Sequence, residues 1–330
     1  MVFFLFCLLN HNISYDKLSH TLSWLLRGEK RGLSVLMSGR KPRLLIIGSQ
    51  GFLGGYAVEE AKCIFEVIEC SRNLSGDSGV RMDITDERSV NAGFERAAPE
   101  LVLLLSAISD IDRCQQFPDQ AKAVNWQGAE QVAEACARSN ARLLFASSAA
   151  VFDGKKHGYS EEDPVNPLNV YGETKAMAEK SVLALVRAAI VVRFALILGF
   201  AGRPGTNALL DRLRARWNAG RTVALPVFET RNPIDARTAA RLMMNLLSQP
   251  EISGIFHLGS ADPLTRYELG ARLALRMGYA GKVEPENAPT PDRAPRGRDH
   301  YLLTGKVSTA CSTQIPTSDE VIARCFDGIA

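Results

Sequence analysis

Arg43-Leu44-Leu45-Ile46-Ile47-Gly48-Ser49-Gln50-Gly51-Phe52-Leu53-Gly54 decides the reading of this chain. Residues 44–47 are an unbroken apolar run, as a strand buried on both faces of a parallel sheet requires. Three glycines follow at spacings of three. Gly48 lets the chain turn sharply, Gly51 lets backbone approach a phosphate, and Gly54 lets a helix pack closely on its strand. The N-terminus of that helix offers unpaired N–H groups and a positive dipole end to a pyrophosphate. Gln50, Phe52 and Leu53 complete the expected loop contact. Glycines also recur in plain strand–helix turns, so the rest of the chain has to carry the same reading.

It does. A helix through Ala57, Val58 and Ala61 leads to a second strand over residues 65–70. That strand runs out through Glu69, Cys70, Ser71 and Arg72, where a bound adenosine ribose is expected. Glu69 suits a free 2′-hydroxyl, whereas Ser71 and Arg72 suit a 2′-phosphate; the balance favours NADP(H), with NAD(H) as the alternative. Asp83 and Ile84 follow in Met82-Asp83-Ile84-Thr85-Asp86, with Asp83 placed to accept an adenine amino group and Asp86 to cap the next helix. Residues 101–105 read as a fourth buried strand ending in the small residues Ser106 and Ala107, which let a cofactor lie against backbone. Ala123, Val124, Ala129, Val132 and Ala133 repeat at helical spacing, predicting one long helix. Residues 143–146 form a fifth strand ending in Ser147 and Ser148. Strands alternating with helices imply an α/β fold with a doubly wound parallel sheet, and its ligand belongs at the carboxyl ends of the strands.

Chemistry enters at those ends. Tyr171 and Lys175 stand four apart in Tyr-Gly-Glu-Thr-Lys, after Pro164 and Pro167. On a helix this spacing puts both side chains on one face, and an ammonium beside a phenol lowers the tyrosine pKa toward the working pH. Ser148, at the end of a neighbouring strand, is placed to hydrogen-bond a reacting carbonyl oxygen. Alone, a tyrosine and lysine at this spacing make an ordinary surface pair. The glycine loop and the serine strand end give them a site.

These three motifs, in this order, resemble the extended short-chain dehydrogenase/reductases, whose fold is a Rossmann domain with a smaller C-terminal α/β substrate lobe. The turn Ser147-Ser148-Ala149-Ala150-Val151-Phe152-Asp153-Gly154 and the run Pro167-Leu168-Asn169-Val170-Tyr171-Gly172-Glu173-Thr174-Lys175 are most similar to the dTDP-4-dehydrorhamnose reductase branch. The likeness covers residues 42–305 and includes Arg193 at the end of a sixth strand. It implies a catalytic Ser148, Tyr171 and Lys175, with Asn125 as a fourth member; a helix asparagine bonding backbone across the sheet is the plainer reading of Asn125. It also implies reduction of a 4-keto group on a nucleotide-activated sugar. Run in reverse, the same residues would begin a 4-epimerase or dehydratase cycle. The branch usually carries Asp-Tyr where this chain has Ala149-Ala150, which leaves the sugar open and disfavours a dehydratase. No acidic cluster matches the metal site of some members, so no metal is expected. A reading from another class is a non-catalytic, cofactor-binding regulatory subunit, a use of this branch exemplified by the beta subunit of methionine adenosyltransferase.

Beyond Arg193 the pattern changes. Residues 196–231 and 261–330 are expected to form the substrate lobe, while residues 232–260 return to the domain built by residues 37–195. His257 lies between Phe256 and Leu258 and reads as a satisfied core histidine. Arg293, Arg296 and Arg298, in a Pro- and Arg-rich segment, are candidates to pair with the substrate diphosphate or to form a solvated basic loop. With 39 basic against 36 acidic residues and no long run of either sign, nucleic acid is not the expected partner. The seven cysteines are scattered without zinc or dithiol spacing, as in a reducing, cytoplasmic setting. Residues 1–9 are apolar but too short to span a bilayer. Residues 1–36 read as a dispensable leader ahead of Met37, with a membrane-surface anchor as the lesser alternative, and a homodimer remains an open expectation.

Overall fold

The first apolar run becomes β1 (Arg43–Ile47), and its side chains feed two cores. Leu44 and Ile46 pack to one side and Leu45 and Ile47 to the other, each at most 1% exposed. Burying each such side chain is worth about 1.5–3 kcal/mol, so the strand is committed to the centre of the molecule. The computed structural model describes residues 40–74, 79–202, 206, 208–290 and 293–327. The proposed leader, residues 1–36, lies outside them, and the unit holding the sheet begins at Pro42.

Six more strands pair with β1 in one sheet: β2 (Glu66–Ser71), β3 (Val80–Arg81), β4 (Leu101–Leu104), β5 (Arg142–Ser148), β6 (Ile190–Phe194) and β7 (Gly254–Leu258). Their order is β7-β6-β5-β4-β1-β2-β3, and every neighbouring pair is parallel. Helices α1 (Phe52–Ala61) and α5 (Ala236–Leu247) cover one face, and α2 (Glu87–Ala97), α3 (Gly128–Ser139) and α4 (Val170–Leu185) the other. This is the doubly wound Rossmann sheet the sequence predicts. Its winding reverses between β1 and β4, which opens a crevice beyond their carboxyl ends.

Local chemistry starts the helices where expected. Asp86 caps α2 by accepting from Arg88 N at 3.1 Å, and Asp235 caps α5 by accepting from Thr238 N at 2.8 Å. Asn169 caps α4, its Oδ1 accepting from Gly172 N at 2.9 Å. The long helix predicted through Ala123 and Ala133 runs without a gap from Pro118 to Ser139, but it is not α-helical throughout. Helix Pro118–Lys122 passes into a π-helical turn, Ala123–Gln127, before α3 begins. Such a widened turn re-aims one side chain inward, and here that side chain is Asn125.

The smaller C-terminal elements have their own core of Leu210, Leu213, Trp217, Val223, Leu269 and Leu273. Strands Thr230–Arg231, Leu264–Thr265 and Asp299–His300 form a three-stranded sheet, and Val223–Pro226 pairs in parallel with Val283–Glu286. Six cysteines among the described residues are free thiols, all but Cys63 buried. No helix among the described residues is long and apolar enough to cross a membrane.

Candidate active site

The glycine turn is built so that side chains are excluded from it. Gly48 has φ +97°, and a Cβ there would lie 2.8 Å from Ser106 N. A Cβ on Gly54 would meet Gly48 O at 2.1 Å, and one on Gly51 the same oxygen at 3.2 Å. The turn thus brings Gly48 against Ser106, just past β4, and frees the start of α1 for an anion. Ala107 follows in the same connection, and Phe52 and Leu53 open α1.

At the end of β2 the two readings of the ribose site meet. Ser71 Oγ is buried with no hydrogen-bond partner, so a polar acceptor or donor is provided for there. Arg72 is exposed, and its charge helps hold the Asp83 carboxyl below its ordinary value, after the hydrogen bonds from Thr85. Glu69 is turned toward the glycine loop, where Gln50 Nε2 donates to it at 3.3 Å. Asp83 Oδ1 is occupied by Thr85 N at 3.0 Å and Thr85 Oγ1 at 2.8 Å, a local turn that competes with its expected adenine contact. Ile84 is buried against Gly128 of α3.

Ser148, Tyr171, Lys175 and Asn125 come together at the carboxyl ends of β4 and β5. Ser148 Oγ accepts from Ala150 N at 3.1 Å and lies near enough to the Tyr171 phenol to favour its ionised form. Lys175 is 2% exposed; its Nζ donates to Ala146 O at 2.5 Å and lies 4.0 Å from the centre of the Phe145 ring. Asn125, 1% exposed, clasps the backbone beyond β4: Oδ1 accepts from Ile108 N at 2.8 Å and Nδ2 donates to Ile108 O at 3.0 Å. Its Nδ2 also reaches Thr174 Oγ1 at 3.3 Å, one residue before Lys175. The plainer reading of Asn125, backbone bonding across the sheet, is therefore realised, and it also fixes α4 beside the site.

The charges differ from the spacing argument. Burial pushes the Tyr171 phenol up to about 12, against the lowering effect of the Ser148 hydroxyl. Burial likewise pushes the Lys175 ammonium down to about 7, with Glu179 opposing. Lys175 is turned to Ala146 and Phe145, so in this arrangement it does not lower the tyrosine. The consequence is a phenol that keeps its proton at neutral pH, which suits a proton donor better than a base.

The Ala149-Ala150 departure has a packing cause. Both residues lie in a tight turn, Ala149–Val151, at 1% and 6% exposure, and Ala149 belongs to a small core with Val151, Phe152, Tyr159 and Leu302. A Cβ on Gly172 would sit 2.1 Å from Ala150 O, so the turn is pressed against the first turn of α4. His257 is satisfied as expected, with Nδ1 3.2 Å from Tyr159 O and Nε2 3.4 Å from Arg193 Nη1.

The arginine expectation divides. Arg296 is engaged with Asp112 through Nη1 at 3.1 Å and Nη2 at 2.8 Å. In this arrangement it ties down its own segment, because Asp112 offers a planar carboxylate that matches the guanidinium fork. Arg293 is exposed, 3.9 Å from Glu286, and Arg298 is exposed. Sequence reasoning missed two further arginines, Arg231 and Arg266, both held below the ordinary arginine range by burial, with the Glu229 carboxylate opposing. It also missed Glu179, whose spacing of four from Lys175 was the available signal.

Comparison with known proteins finds relatives in both sequence and fold. The chain is 27% identical over 240 residues to the methionine adenosyltransferase 2 subunit beta of Xenopus laevis, covering 70% of this chain and 71% of the relative. It is 24% identical over 238 residues to the spore coat polysaccharide biosynthesis protein SpsK of Bacillus subtilis, covering 72% and 80%. Its fold matches a dTDP-4-dehydrorhamnose reductase from Bacillus anthracis, solved in complex with NADP, with a TM-score of 0.78 at 21% identity over 87% of this chain and 99% of that one. The family model of the RmlD substrate binding domain matches residues 42–330. The chain therefore belongs to the RmlD substrate binding domain family, the dTDP-4-dehydrorhamnose reductase-like branch of the extended short-chain dehydrogenase/reductases.

Proposed function

We propose that this protein is an NAD(P)H-dependent reductase that acts on a nucleotide-activated sugar and reduces a 4-keto group. The observation that carries the reading is the placement of the Ser148 hydroxyl beside a protonated Tyr171 phenol, one turn from the buried Lys175. The residues fit a dinucleotide: a glycine turn with no room for a Cβ on Gly48 or Gly54 and an orphaned Ser71 hydroxyl where the ribose belongs. When bound, reduced nicotinamide supplies hydride to the keto carbon. Ser148 Oγ and the Tyr171 phenol hold the keto oxygen, and Tyr171 gives it the proton, so ketone, hydride and proton balance to an alcohol. Lys175 would hold the nicotinamide ribose and offset the charge left on Tyr171. Asn125 keeps the backbone beyond β4 in place.

Ser71 and Arg72 support NADP(H) as the preferred cofactor, with Glu69 leaving NAD(H) as the alternative. Arg293, whose charge reaches the buried Arg266, supports binding of the substrate diphosphate by the C-terminal lobe; the setting is proposed to be cytoplasmic. A panel of 4-keto nucleotide sugars followed by NADPH absorbance tests the reading. Oxidation of NADPH with one of them is the expected result.

The likeness to a methionine adenosyltransferase subunit favours one competing reading, a cofactor-binding subunit without turnover. Tight NADPH binding with no oxidation across the panel, together with co-purification of a catalytic partner, would decide for it.

A further inference from the structure

A second set of buried polar groups lies beneath the site, and the mechanism above does not use it. Glu179 is 4% exposed and Arg193 2%. Glu179 sits on α4, one turn past Lys175 and two past Tyr171. Its Oε1 accepts from Ser147 Oγ at 2.5 Å and from Arg193 Nε at 2.9 Å, and its Oε2 from Arg193 Nη2 at 2.6 Å. Ser147 directly precedes Ser148 on β5 and pairs in register with Arg193 on β6. One carboxylate therefore joins the helix that carries Tyr171 and Lys175 to two adjacent strands, one of which carries Ser148. Arg193 is held from behind, 4.9 Å from the Phe152 ring and 3.4 Å from His257 Nε2.

Stability alone is a poor reason to bury this pair, since desolvating two charges offsets most of their attraction and well-packed apolar residues often serve as well. Precise placement is a better one. The titratable groups acting on Lys175 are Glu179 and Cys114; both favour the ammonium, Glu179 the more strongly. Glu179 itself faces Arg193 and Lys175, with His257 behind Arg193.

We infer that Glu179 is a positioning residue for the reaction: it holds the helix of Tyr171 and Lys175 in register with the strand of Ser148 and places a negative charge one turn from the Lys175 ammonium. This rests on the reductase reading of the site. The charge is read without any ligand by a carbon-13 NMR titration of the lysine Cε signals in the free full-length protein, with Lys175 assigned through Lys175→Met. The wild-type signal should titrate near 7. Glu179→Gln should lower that midpoint by roughly one unit, a tenfold loss in proton affinity, while Arg193→Lys, which keeps the carboxylate charged, should leave it in place. In turnover, Glu179→Gln should also move the alkaline limb of kcat to lower pH, a shift that a merely structural loss would not produce. An unmoved midpoint in Glu179→Gln overturns the inference.

Should Glu179→Gln fail to fold, Ser147→Ala keeps the ion pair and removes one of the two hydrogen bonds to Oε1. It should cost roughly tenfold or more in kcat with KM little changed, the loss of one charge-assisted hydrogen bond; wild-type kcat overturns the inference. A wild type that turns over no keto sugar sinks the reductase reading instead, and the NMR midpoint still decides the part played by Glu179.

Discussion

Arg296 grips Asp112 across 184 residues of sequence, Nη1 to Oδ1 at 3.1 Å and Nη2 to Oδ2 at 2.8 Å. The same carboxylate accepts from Ala294 N at 2.9 Å. Asp112 belongs to the short helix Ile111–Gln116, whose Gln115 side chain in turn accepts from Val170 N at 3.2 Å, at the first residue of α4. The C-terminal segment is thus strapped down beside the helix that carries Tyr171. Asp112 is half-exposed, so the pair contributes about 1 kcal/mol or less to global stability. Its effect should be local: Asp112→Ala is expected to melt within a few degrees of wild type yet be cut much faster by trypsin at Arg293, Arg296 and Arg298. Equal cutting rates would show that the strap does not hold the segment.

Tyr171 is expected to be the proton donor, because burial keeps its phenol protonated beside the Ser148 hydroxyl. Tyr171→Phe removes one oxygen and little volume. Turnover should drop by about 10²–10⁴-fold, the usual contribution of general acid catalysis, with NADPH affinity nearly intact. Steady-state rates and a fluorescence titration on the same preparation check both halves; near-normal turnover sinks the assignment.

Arg72 and Ser71 bear on cofactor choice. A 2′-phosphate beside the unpartnered Ser71 hydroxyl and the Arg72 guanidinium gains charge-assisted hydrogen bonds typically worth about 1.5–3 kcal/mol. Arg72→Ala should weaken NADPH by roughly ten- to a hundredfold and leave NADH unchanged. Equal weakening of both cofactors, or a wild type that prefers NADH, would assign the site to Glu69 instead.

Two buried histidines predict the acid limit. His257 and His300 are each pushed down to about 3, first by burial and then by the cations of Arg193 and Arg231 respectively. Between about 3 and the ordinary value of 6.5 the unfolded chain binds these protons and the folded chain does not. Stability therefore rises with pH across that window, is fully present above it, and is lost as pH falls. Each histidine changes stability by about 1.4 kcal/mol per pH unit there. Melting temperature should fall steeply on acidification from neutral pH, and His257→Gln should flatten part of that slope; parallel curves for wild type and variant would contradict the assignment.

Much of this protein was legible in its sequence because the information was local. The apolar run before Gly48 could be satisfied only in a sheet interior, and glycines at spacings of three have few uses directly after such a strand. Tyr171 and Lys175, four apart, share a helix face wherever that helix lies. Capping by Asp86, Asn169 and Asp235 follows from side chains short enough to reach their own backbone.

What only the tertiary structure decided depends on neighbours distant in sequence. The direction of the Tyr171 shift is set by desolvation, which no spacing of two residues reports. The π-helical turn that aims Asn125 at Ile108 breaks a helical periodicity that continues on both sides of it. Ala149 and Ala150 look like missing polar groups until Gly172 and the Phe152 core close over them. Arg296 reads as a free basic side chain until the fold sets Asp112 within reach, and Glu179 as an ordinary helix residue until Ser147 and Arg193 arrive from two strands. Periodicity records how a segment meets itself and its core; burial, charge and pairing across the sheet exist only once the segments have met.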